Sequence, residues 1–505
     1  MSVKNEKLDY RRLKLKAGLE IHQQLDSRHK LFCKCSAAMH EKEPVAVIVR
    51  RQHPVASELG AVDAAAQYEY LRNRSFHYQV FKGEDCLVET DEEPPHALNA
   101  EALQIALEIA MLLNCEIPPE INVMRKTITD GSNTGAFQRT MVVGTDGWLK
   151  YGSKRIPIRQ VALEEDSAAI VRDDNGNAKE PAETDNGKAT YRLNRLGVPL
   201  VEITTDVLEK FAPEQLQEVA FMIGITCRST EKVKHGIGSI RQDLNVSVRN
   251  GPRVEVKGVQ ELGMIAKVIE REAARQLGLL KAGKKVEHET RGANMDGTTR
   301  FMRPMPGAAR MYPETDVPPV VLDKNWLEDL EERLPEPWTD KLERFKRKLK
   351  LPSDLAVQVV GSDHLGLFER VMKKHPKLNA TVVAAVFTST LKDIARKKLD
   401  VKKLDEKHFF AIFAGLERRK IAKEAIPDLL VNFISSPYES IAESLKKLNL
   451  TMLKPKELKS MVQQLVDDSP ATPRDRLYGI AMGRVRGRAD PQDVLKLVKK
   501  LTKKR

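Results

Sequence analysis

The chain has 505 residues, of which 31% are charged and 41% hydrophobic, and its formal net charge is +13. This composition predicts a water-soluble protein of three or four domains, and no apolar segment is long enough to span a membrane. Five cysteines in so long a chain do not form a disulfide framework, and the first 16 residues lack the apolar segment of a secretory signal. We therefore expect a cytoplasmic protein without a membrane partner.

The charge is distributed unevenly along the chain. Residues 1–340 contain 47 Lys and Arg against 52 Asp and Glu, whereas residues 341–505 contain 37 against 19. A mildly acidic body followed by a basic last third suggests catalysis in the first part and binding of a polyanion by the second. A basic face that only increases solubility is the alternative that charge alone leaves open.

Short segments with the alternation of β-strands dominate the first half of the chain. Examples are "VAVIVR", "RIPIRQVALEED" and "IRQDLNVSVR". Helices are predicted over 99–114, where Asn99 is the N-cap, and over 212–224. The prolines of residues 301–320 exclude a helix there.

These patterns predict an α+β fold with a large, mainly antiparallel sheet. The sheet-rich catalytic domain is predicted over residues 1–322. From about residue 323 the pattern is helical, which predicts a helical domain over 323–440. Residues 441–505 are predicted to form a basic helical tail domain.

The end of the chain combines arginines with a lysine-faced helix. Asp490 as N-cap and Pro491 at the first position mark the start of this helix, whose other face is apolar. The glycine-flanked segment "GRVRGR" precedes it. A loop rich in arginine that leads into such a helix suits contacts to nucleic-acid phosphates. The candidate residues for such contacts are Arg484, Arg486, Arg488, Lys496, Lys499 and Lys500.

Acidic residues stand inside strands that are otherwise apolar. In "GLEIHQQL", Glu20 and His22 are two residues apart, so on a strand their side chains point to the same face. "VALEED" places Glu165 on the face of Leu163, and "VPLVEI" sets Glu202 within an apolar run. Because an isolated buried carboxylate is very costly, these groups must be paired, hydrogen-bonded or bound to a metal.

A hairpin is predicted where "IRQDLNVSVRNGPRVEVKG" turns at Asn-Gly-Pro. A three-residue loop would place Arg249 opposite Arg253 and would gather polar side chains on one face and apolar ones on the other. One polar face is ordinary for an open sheet, so simple surface polarity remains an alternative for this hairpin by itself. The polar face would carry Arg241, Asp243, Glu255 and Lys257.

Five carboxylates and one imidazole thus lie on strands of one candidate sheet. Hard oxygen donors with a histidine fit Mg²⁺ or Mn²⁺, and a pair of such ions could also hold nucleotide phosphates. The sequence has neither a Walker lysine loop nor a G-x-G-x-x-G motif after a strand to bind ATP. The candidate catalytic residues are Glu20, His22, Glu165, Glu202, Asp243 and Glu255.

Longer motifs resemble one protein family in order and spacing, from about residue 16 to the C-terminus. They include "KAGLEIHQQLDSRHKLFCKCS", "VMRKTITDGSNTGAFQRTMVV", "YRLNRLGVPLVEITTD", "RVEVKGVQELGMI" and "GAARMYPETDVPP". These segments resemble the B/E family of tRNA-dependent amidotransferase subunits, in the version of its archaeal E branch. The resemblance implies the cradle-shaped catalytic domain, the helical domain and the basic tail.

The resemblance also implies a reaction. Members of the family use ATP to phosphorylate the γ-carboxylate of glutamate misacylated on tRNA(Gln), and ammonia then replaces the phosphate. This implies a ligase that forms a C–N bond and uses Glu-tRNA(Gln), ATP and Mg²⁺, with Mn²⁺ as an alternative ion. Phosphoryl transfer needs mostly positioning and charge neutralisation. The E branch is expected to be restricted to glutamate, whereas the bacterial branch can also act on aspartyl-tRNA(Asn).

The family motifs, matched position by position, imply two sets of metal ligands. The first ion would be bound by His22, Glu165 and Glu202, and the second by Glu20, Asp243 and Glu255.

Other polar residues are weaker candidates. We expect Arg241 and Lys257 to contact the phosphates of ATP, with surface salt bridges as the alternative. Ser132 and Asn133 could line a route for ammonia or substrate, although a simple turn explains "DGSNTG" as well.

The cysteines do not predict a zinc site. Cys33 and Cys35 form half of one, and some bacterial relatives complete it with a downstream C-x-x-C. The segment that follows contains no cysteine, and Cys86, Cys115 and Cys227 are distant in sequence. No zinc is therefore expected.

One segment and one activity of the family are missing from the sequence. The aspartyl-tRNA-synthetase-like insertion usual in the E branch is not found near residues 280–287, so either the protein lacks it or it is not part of this sequence. No amidase or asparaginase motif is present, so the resemblance implies an asparaginase-like glutaminase partner, called the D subunit, in a heterotetramer of two D and two E subunits. A metal-dependent RNA phosphodiesterase and a non-catalytic tRNA-binding scaffold are the alternatives, and neither requires the whole series of motifs.

Overall fold

The chain divides into two compact units, Met1–Pro337 and Trp338–Arg505. Sheets and helices share the first unit and the described part of the second is helical, which confirms the predicted α+β class. Residues 323–337, predicted to begin the helical domain, belong to the first unit. The division predicted at residues 440 and 441 stays a prediction. The computed structural model describes residues 9–40, 43–56, 60–171, 187–236, 238–249, 251–307, 310–469 and 472–502.

The strands of the first unit alternate apolar and polar residues, as sheets with one covered face require. Their bounds are β1 (Lys16–Gln24), β2 (Ala46–Arg50), β3 (Ser75–Val80), β4 (Glu120–Ile121), β5 (Met124–Thr127), β6 (Phe137–Tyr151), β7 (Lys154–Glu165), β8 (Ala169–Ile170), β9 (Lys188–Arg192), β10 (Pro199–Thr205), β11 (Leu208–Glu209), β12 (Ile240–Ser247), β13 (Val254–Val259), β14 (Glu289–Ala293), β15 (Thr299–Pro304), β16 (Met311–Pro313) and β17 (Val320–Val321).

The helices of the first unit begin at recognisable caps. Asn99 accepts a hydrogen bond from the backbone N–H of Ala102, as its predicted role as N-cap requires. Pro213 opens the helix predicted from residue 212, since a first-turn residue needs no intrahelical donor. The bounds are α1 (Ala64–Leu71), α2 (Ala100–Leu112), α3 (Pro213–Arg228), α4 (Met264–Lys281) and α5 (Lys324–Glu332).

The large sheet has β1 at its middle, between β10 and β12. Its strand order is β15-β14-β13-β12-β1-β10-β7-β6-β5-β16, and β11 pairs with β1. All neighbouring pairs along this order are antiparallel except β13 and β14. The predicted large and mainly antiparallel sheet is therefore confirmed.

Helices cover one face of this sheet. Helix α3 packs against β1, α4 against β12, and α2 against β6 and β7. Leu19 and Ile21 of β1 point into this layer and are fully buried. Since side chains alternate along a strand, Glu20 and His22 point to the opposite, open face.

Two smaller sheets complete the first unit. One has the order β2-β3-β9-β8, and β4 pairs with β17 in the other. Phe76, Tyr78 and Tyr191 form the core beside the four-stranded sheet, together with Leu193 and Leu196.

The second unit consists of helices in its described part. Helices α14, α15 and α16 pack around one apolar core, to which Leu458, Leu477 and Val494 contribute. The bounds are α6 (Trp338–Lys348), α7 (Ser353–Val360), α8 (Leu365–Lys374), α9 (Ala380–Ala385), α10 (Leu391–Arg396), α11 (Glu406–Glu417), α12 (Ile426–Ser435), α13 (Ile441–Lys447), α14 (Pro455–Asp468), α15 (Arg474–Val485) and α16 (Pro491–Thr502).

The hairpin of β12 and β13 keeps the predicted faces but not the predicted register. Asn245 pairs with Glu255, two positions from the pairing that a three-residue loop would impose. The connection is longer because β12 ends at Ser247 and β13 begins at Val254. A shift of two residues leaves every side chain on its face, so the polar face survives the error.

Candidate active site

The open face of the large sheet gathers charged side chains from neighbouring strands. On β1, His22 lies opposite Glu202 of β10 and Arg241 of β12, and Glu20 lies opposite Asp243. These residues line a cavity of about 850 Å³. Glu20 and His22 are about 7 Å apart along their strand, so their groups are neighbours.

The first candidate metal group contains His22, Glu164 and Glu202. One possible ligand atom from each residue lies within 4.8 Å of the others. The Nε2 atom of His22 is 3.2 Å from Oε2 of Glu202. Burial opposes the charged imidazole, but the hydrogen bond and charge of Glu202 outweigh it and raise the pKa of His22.

Glu165 does not join this group, which corrects the ligand set implied by the resemblance. Leu200 pairs with Glu164 across β10 and β7, so Glu164 shares the face of Glu202 and Glu165 points to the other face. Burial raises the pKa of Glu165, and Arg139 opposes that effect. The alternation of Val161 and Leu163 already indicated this orientation.

On the opposite side of the sheet, Glu165 belongs to an ion-pair network. Its carboxylate accepts the backbone N–H of Arg139 at 3.1 Å and lies 3.4 Å from the guanidinium of Arg139. Arg139 also donates to Glu314, which accepts two hydrogen bonds from Arg125. These contacts hold Glu165 away from the cavity. The network therefore stabilises the fold on this side of the sheet.

The second candidate metal group is the predicted one, Glu20, Asp243 and Glu255. Their ligand atoms also lie within 4.8 Å of one another. Asn245 donates to Glu20 at 2.8 Å and Thr290 donates to Glu255 at 2.9 Å, so both carboxylates are held in fixed orientations. Hydrogen-bond donors that orient carboxylates in this way are typical of metal sites.

The carboxylates of this group differ in how readily they ionise. Burial and then the charge of Glu202 raise the pKa of Glu20. Burial also opposes ionisation of Asp243 and Glu255, but the ammonium of Lys257 outweighs it and lowers both pKa values. Negative charge is therefore concentrated beside Lys257.

A lysine lies against each group. Lys126 Nζ is 2.7 Å from Oε1 of Glu164 and 3.5 Å from Oε2 of Glu202. Lys257 Nζ is 2.9 Å from Oδ2 of Asp243 and 2.8 Å from Oε1 of Glu255. Lys257 was expected to face this site, whereas Lys126 and Glu164 were missed. Strand alternation in "NVMRKTIT" and "VALEED" is the signal that could have found them.

Arg241 lines the cavity but is held by a buried acid. It donates to Oδ1 of Asp166 at 2.8 Å, and Gln24 donates to the other oxygen of Asp166 at 2.6 Å. Burial opposes ionisation of Asp166, yet Arg241 and Arg195 keep its pKa below the usual value. This orienting acid was not predicted from the sequence.

The donor chemistry of both groups fits divalent ions. Each group offers three oxygen or nitrogen ligands from adjacent strands, in a cavity with room for a nucleotide. Oxygen-rich sets suit Mg²⁺ and Mn²⁺, and a neutral imidazole is compatible with Mn²⁺. The residues present therefore fit the expected ions once Glu164 replaces Glu165.

The loop predicted from "DGSNTG" borders the cavity. Asp130 accepts hydrogen bonds from the backbone and the hydroxyl of Ser132, which forms a local turn. Ser132 lines the cavity, while Asn133 is buried and lines a smaller cavity on the side of Glu165. The loop is thus a turn that lies next to both spaces.

The cysteines form a cluster that was not expected from the sequence. The chain brings Cys86 to Cys33 and Cys35, and with Glu89 these residues place four possible ligand atoms within 4.8 Å of one another. Cys86 is therefore close to Cys33 and Cys35 in space, although the sequence predicted it to be far away. Three thiols and a carboxylate fit Zn²⁺.

Local contacts organise this cysteine cluster. Cys33 Sγ donates to Oε1 of Glu89 at 2.9 Å, and the backbone N–H of Cys86 donates to Oε2 at 2.8 Å. Burial raises the pKa of Glu89 to about 7 although the ammonium of Lys30 opposes it. Hydrogen bonds from Cys33 and Cys35 lower the pKa of Cys86, which favours its thiolate.

The basic residues of the tail lie partly in helices α15 and α16 and partly in the segment between them. Arg484 lies in α15 and not in a loop, because α15 continues to Val485. Asp490 accepts the backbone N–H of Gln492 at 2.8 Å, as expected for the cap of α16. Arg488 donates to the carbonyl of Thr451. The exposed residues of the predicted set are Arg484, Arg486, Lys496, Lys499 and Lys500.

Comparison with known proteins places the chain in a family. Residues 15–328 match the GatB/GatE catalytic domain, and residues 366–501 match the GatB domain. The chain therefore belongs to the GatB/GatE family of amidotransferase subunits. Among the described residues, none of the helices is sufficiently long and apolar to cross a lipid bilayer.

Several relatives are similar over nearly their whole length. The E subunit of the glutamyl-tRNA(Gln) amidotransferase of Methanocaldococcus jannaschii is 33% identical, and the match covers 98% of this chain and 99% of the relative. Proteins of the same name from Saccharolobus solfataricus and Pyrobaculum calidifontis are also 33% identical, over 97% and 98% of this chain and 98% and 100% of their own lengths. The first match runs over 638 positions, so that relative has residues with no counterpart in these 505.

Proposed function

We propose that this chain is the amidotransferase component that converts Glu-tRNA(Gln) to Gln-tRNA(Gln) with ATP. The archaeal relatives carry that substrate in their names. The observation that carries the proposal is the pair of metal-ligand groups on one face of the sheet, inside a cavity that basic residues also line. Carboxylate groups of this kind are what phosphoryl transfer from ATP requires.

Activation of the glutamyl side chain is the chemical problem that the site must solve. A carboxylate repels nucleophiles and has no good leaving group, whereas an acyl phosphate reacts readily with ammonia. The two groups would hold Mg²⁺, which neutralises the charge of the phosphates when bound. We assign His22, Glu164 and Glu202 to one ion and Glu20, Asp243 and Glu255 to the other.

The basic side chains of the cavity would orient the phosphates. Lys257 supplies a compact charge beside the second group. Arg241, buttressed by Asp166, presents a guanidinium in a fixed position, which suits recognition of a phosphate. Arg303 and Arg310 line the same cavity. Together they would compensate the charge of ATP.

The last helices would bind the tRNA. The exposed residues Arg484, Arg486, Lys496, Lys499 and Lys500 suit the phosphate backbone, and Arg488 would add to them. These contacts position the substrate without reading its sequence.

Ammonia would come from another protein. We propose as the partner an asparaginase-like glutaminase, the D subunit, in a heterotetramer of two D and two E subunits. The sequence of this chain lacks a glutaminase motif, and the relatives that it resembles are named as subunits of an amidotransferase.

The alternatives make different demands on the same residues. An RNA phosphodiesterase would need the metal groups but not ATP. A tRNA-binding scaffold would tolerate the loss of His22 or Glu202. Neither is favoured by relatives named as amidotransferase subunits over nearly the whole chain.

Transfer of ammonia to the aminoacyl group tests the proposal. The full chain is incubated with Glu-tRNA(Gln), Mg²⁺, γ-labelled ATP and ammonium chloride, and the aminoacyl group is then identified. We expect Gln-tRNA(Gln) and ATP turnover, both lost in His22→Ala and Glu202→Ala. If neither product forms even after the glutaminase partner is added, the proposal is wrong. Cleavage of the tRNA without ATP would favour the phosphodiesterase.

A further inference from the structure

Two lysines contact the same carboxylates that form the two metal-ligand groups. The ammonium of Lys126 lies 2.7 Å from Glu164 and 3.5 Å from Glu202. That of Lys257 lies 2.9 Å from Asp243 and 2.8 Å from Glu255. Each group thus has one lysine that bridges two of its acids, and the arrangement occurs twice on different strands.

The lysine and a metal ion need the same oxygen atoms. Mg²⁺ requires carboxylate oxygens at about 2.1 Å, inside the distance at which an ammonium donates hydrogen bonds to the same oxygens. A divalent ion would also repel an ammonium a few ångströms away. Binding of the ion therefore requires the ammonium to leave its carboxylate pair.

The displaced ammonium has a place to go. Lys126 and Lys257 line the same cavity as the two metal groups. Each has a flexible four-carbon stem, so its ammonium can rotate away from the strand while the backbone remains paired. The centre of the cavity is where the phosphates of ATP would lie in the proposed function.

The arginines of the site behave differently. Arg241 is held by Asp166, and Arg303 is paired with Asp130 at 3.5 Å. Neither of these acids belongs to a metal-ligand group. A metal ion would leave these pairs intact, so exchange is specific to the two lysines.

We propose that Lys126 and Lys257 are exchange cations: each holds one pair of carboxylates until a metal ion replaces it, and the released ammonium then binds ATP phosphate. This rests on the metal groups of the proposed function. The lysines would suppress repulsion among the acids before the ions bind and would couple metal binding to nucleotide binding. Both are positioning residues for metal and contacts for phosphate.

Opposite changes in the affinity for the metal ion and in the affinity for the nucleotide distinguish this role from a purely structural one. In Lys126→Met the competing charge is gone, so Mn²⁺ should bind the first group about tenfold more tightly. The affinity for a non-hydrolysable ATP analogue at saturating Mn²⁺ should fall about tenfold, because a phosphate contact is lost. Lys257→Met should produce the same pair of changes at the second group. A residue that only stabilised the fold would not strengthen metal binding.

A lysine outside the cavity supplies the matched control. Lys232 pairs with Glu108 at 2.6 Å, and neither residue lines the cavity. Lys232→Met removes a comparable lysine–glutamate pair and should leave both affinities unchanged. Mn²⁺ binding is measured on the full chain by the electron paramagnetic resonance of the free ion, without ATP or tRNA.

Each result separates the two proposals. If the wild-type chain binds Mn²⁺ and Lys126→Met and Lys257→Met bind it equally or more weakly, the exchange is wrong and the metal groups stand. If the wild-type chain binds no Mn²⁺, the metal assignment falls and the exchange falls with it. Should a variant be unstable, the rise in its unfolding temperature on adding Mn²⁺ replaces the titration, and the exchange predicts a larger rise than in the wild type.

Discussion

Glu164 and Glu165 are adjacent on β7 and belong to different parts of the molecule. Glu164 faces the cavity, where Lys126 and Thr140 donate to it at 2.7 Å. Glu165 faces the other side of the sheet, where Arg139 holds it in a network with Glu314. Both are buried, so burial does not distinguish them.

The partners of the two glutamates explain their different roles. An acid on the cavity side has partners with which a metal ion can compete, such as lysine and histidine. The acid on the other side is held by an arginine and a backbone N–H that are themselves fixed by neighbouring strands. Mobility of the partner, more than burial of the acid, separates a binding site from a structural ion pair.

The largest expected effect is the loss of Glu202, which lies between His22 and Lys126. Glu202→Gln should lower kcat/KM by about 10³-fold, since it removes a charged ligand where phosphate charge must be neutralised. The rate of Gln-tRNA formation with ammonium chloride measures it. Glu328→Gln, at an exposed position on α5, is the control and should keep full activity.

Replacing each of the two adjacent glutamates by glutamine tests the difference between the two sides of the sheet. Glu164→Gln should lower activity by about 10²-fold, because a carboxylate of the first group loses its charge. Glu165→Gln should lower the free energy of unfolding by about 1–3 kcal/mol, because Arg139 loses part of its buried pairing. Activity and denaturant unfolding are measured on both variants. Equal loss of activity in both variants at a temperature where both are folded would contradict the distinction.

The cysteine cluster is a third region, and it should bind metal without taking part in catalysis. We expect about one Zn²⁺ per chain, and Cys86→Ser should lose it together with roughly 2 kcal/mol of stability. Metal analysis and thermal unfolding with and without a chelator measure these effects. Cys115→Ser, outside the cluster, should retain the zinc. A chain purified with Zn²⁺ supplied that contains none would refute this expectation.

The smallest effect is expected in the tail. Lys496, Lys499 and Lys500 are exposed on α16. Replacing any one of them by Gln should weaken tRNA binding by about 1 kcal/mol at low salt and reduce its salt dependence. Filter binding at several salt concentrations measures this. A loss confined to tRNA(Gln) would contradict simple phosphate contacts.

Periodicity in the sequence predicted the architecture well. The alternation around Leu19, Glu20, Ile21 and His22 indicates both faces of β1, and the structure has them as expected. The cap at Asn99 marked the beginning of α2. Local patterns suffice for such features because neighbouring residues alone determine them.

The site was harder to predict because it depends on pairing between distant segments. Glu164 was missed although strand alternation indicates its face, since the family motif was given more weight than the alternation. Cys86 was predicted to be remote because it lies far from Cys33 and Cys35 along the sequence. Distance along the chain does not reveal that β3 and the turn after it bring Cys86 close to them. Lys126 joins the first group only because β5 pairs with β6, near one edge of the sheet.

The most direct test is a crystal of the chain soaked with Mn²⁺ and an ATP analogue, measured for anomalous scattering. We predict two peaks, one among His22, Glu164 and Glu202 and one among Glu20, Asp243 and Glu255. Lys126 and Lys257 should point to the phosphates. A peak beside Glu165, or an analogue bound without any metal peak on this face of the sheet, would contradict the account.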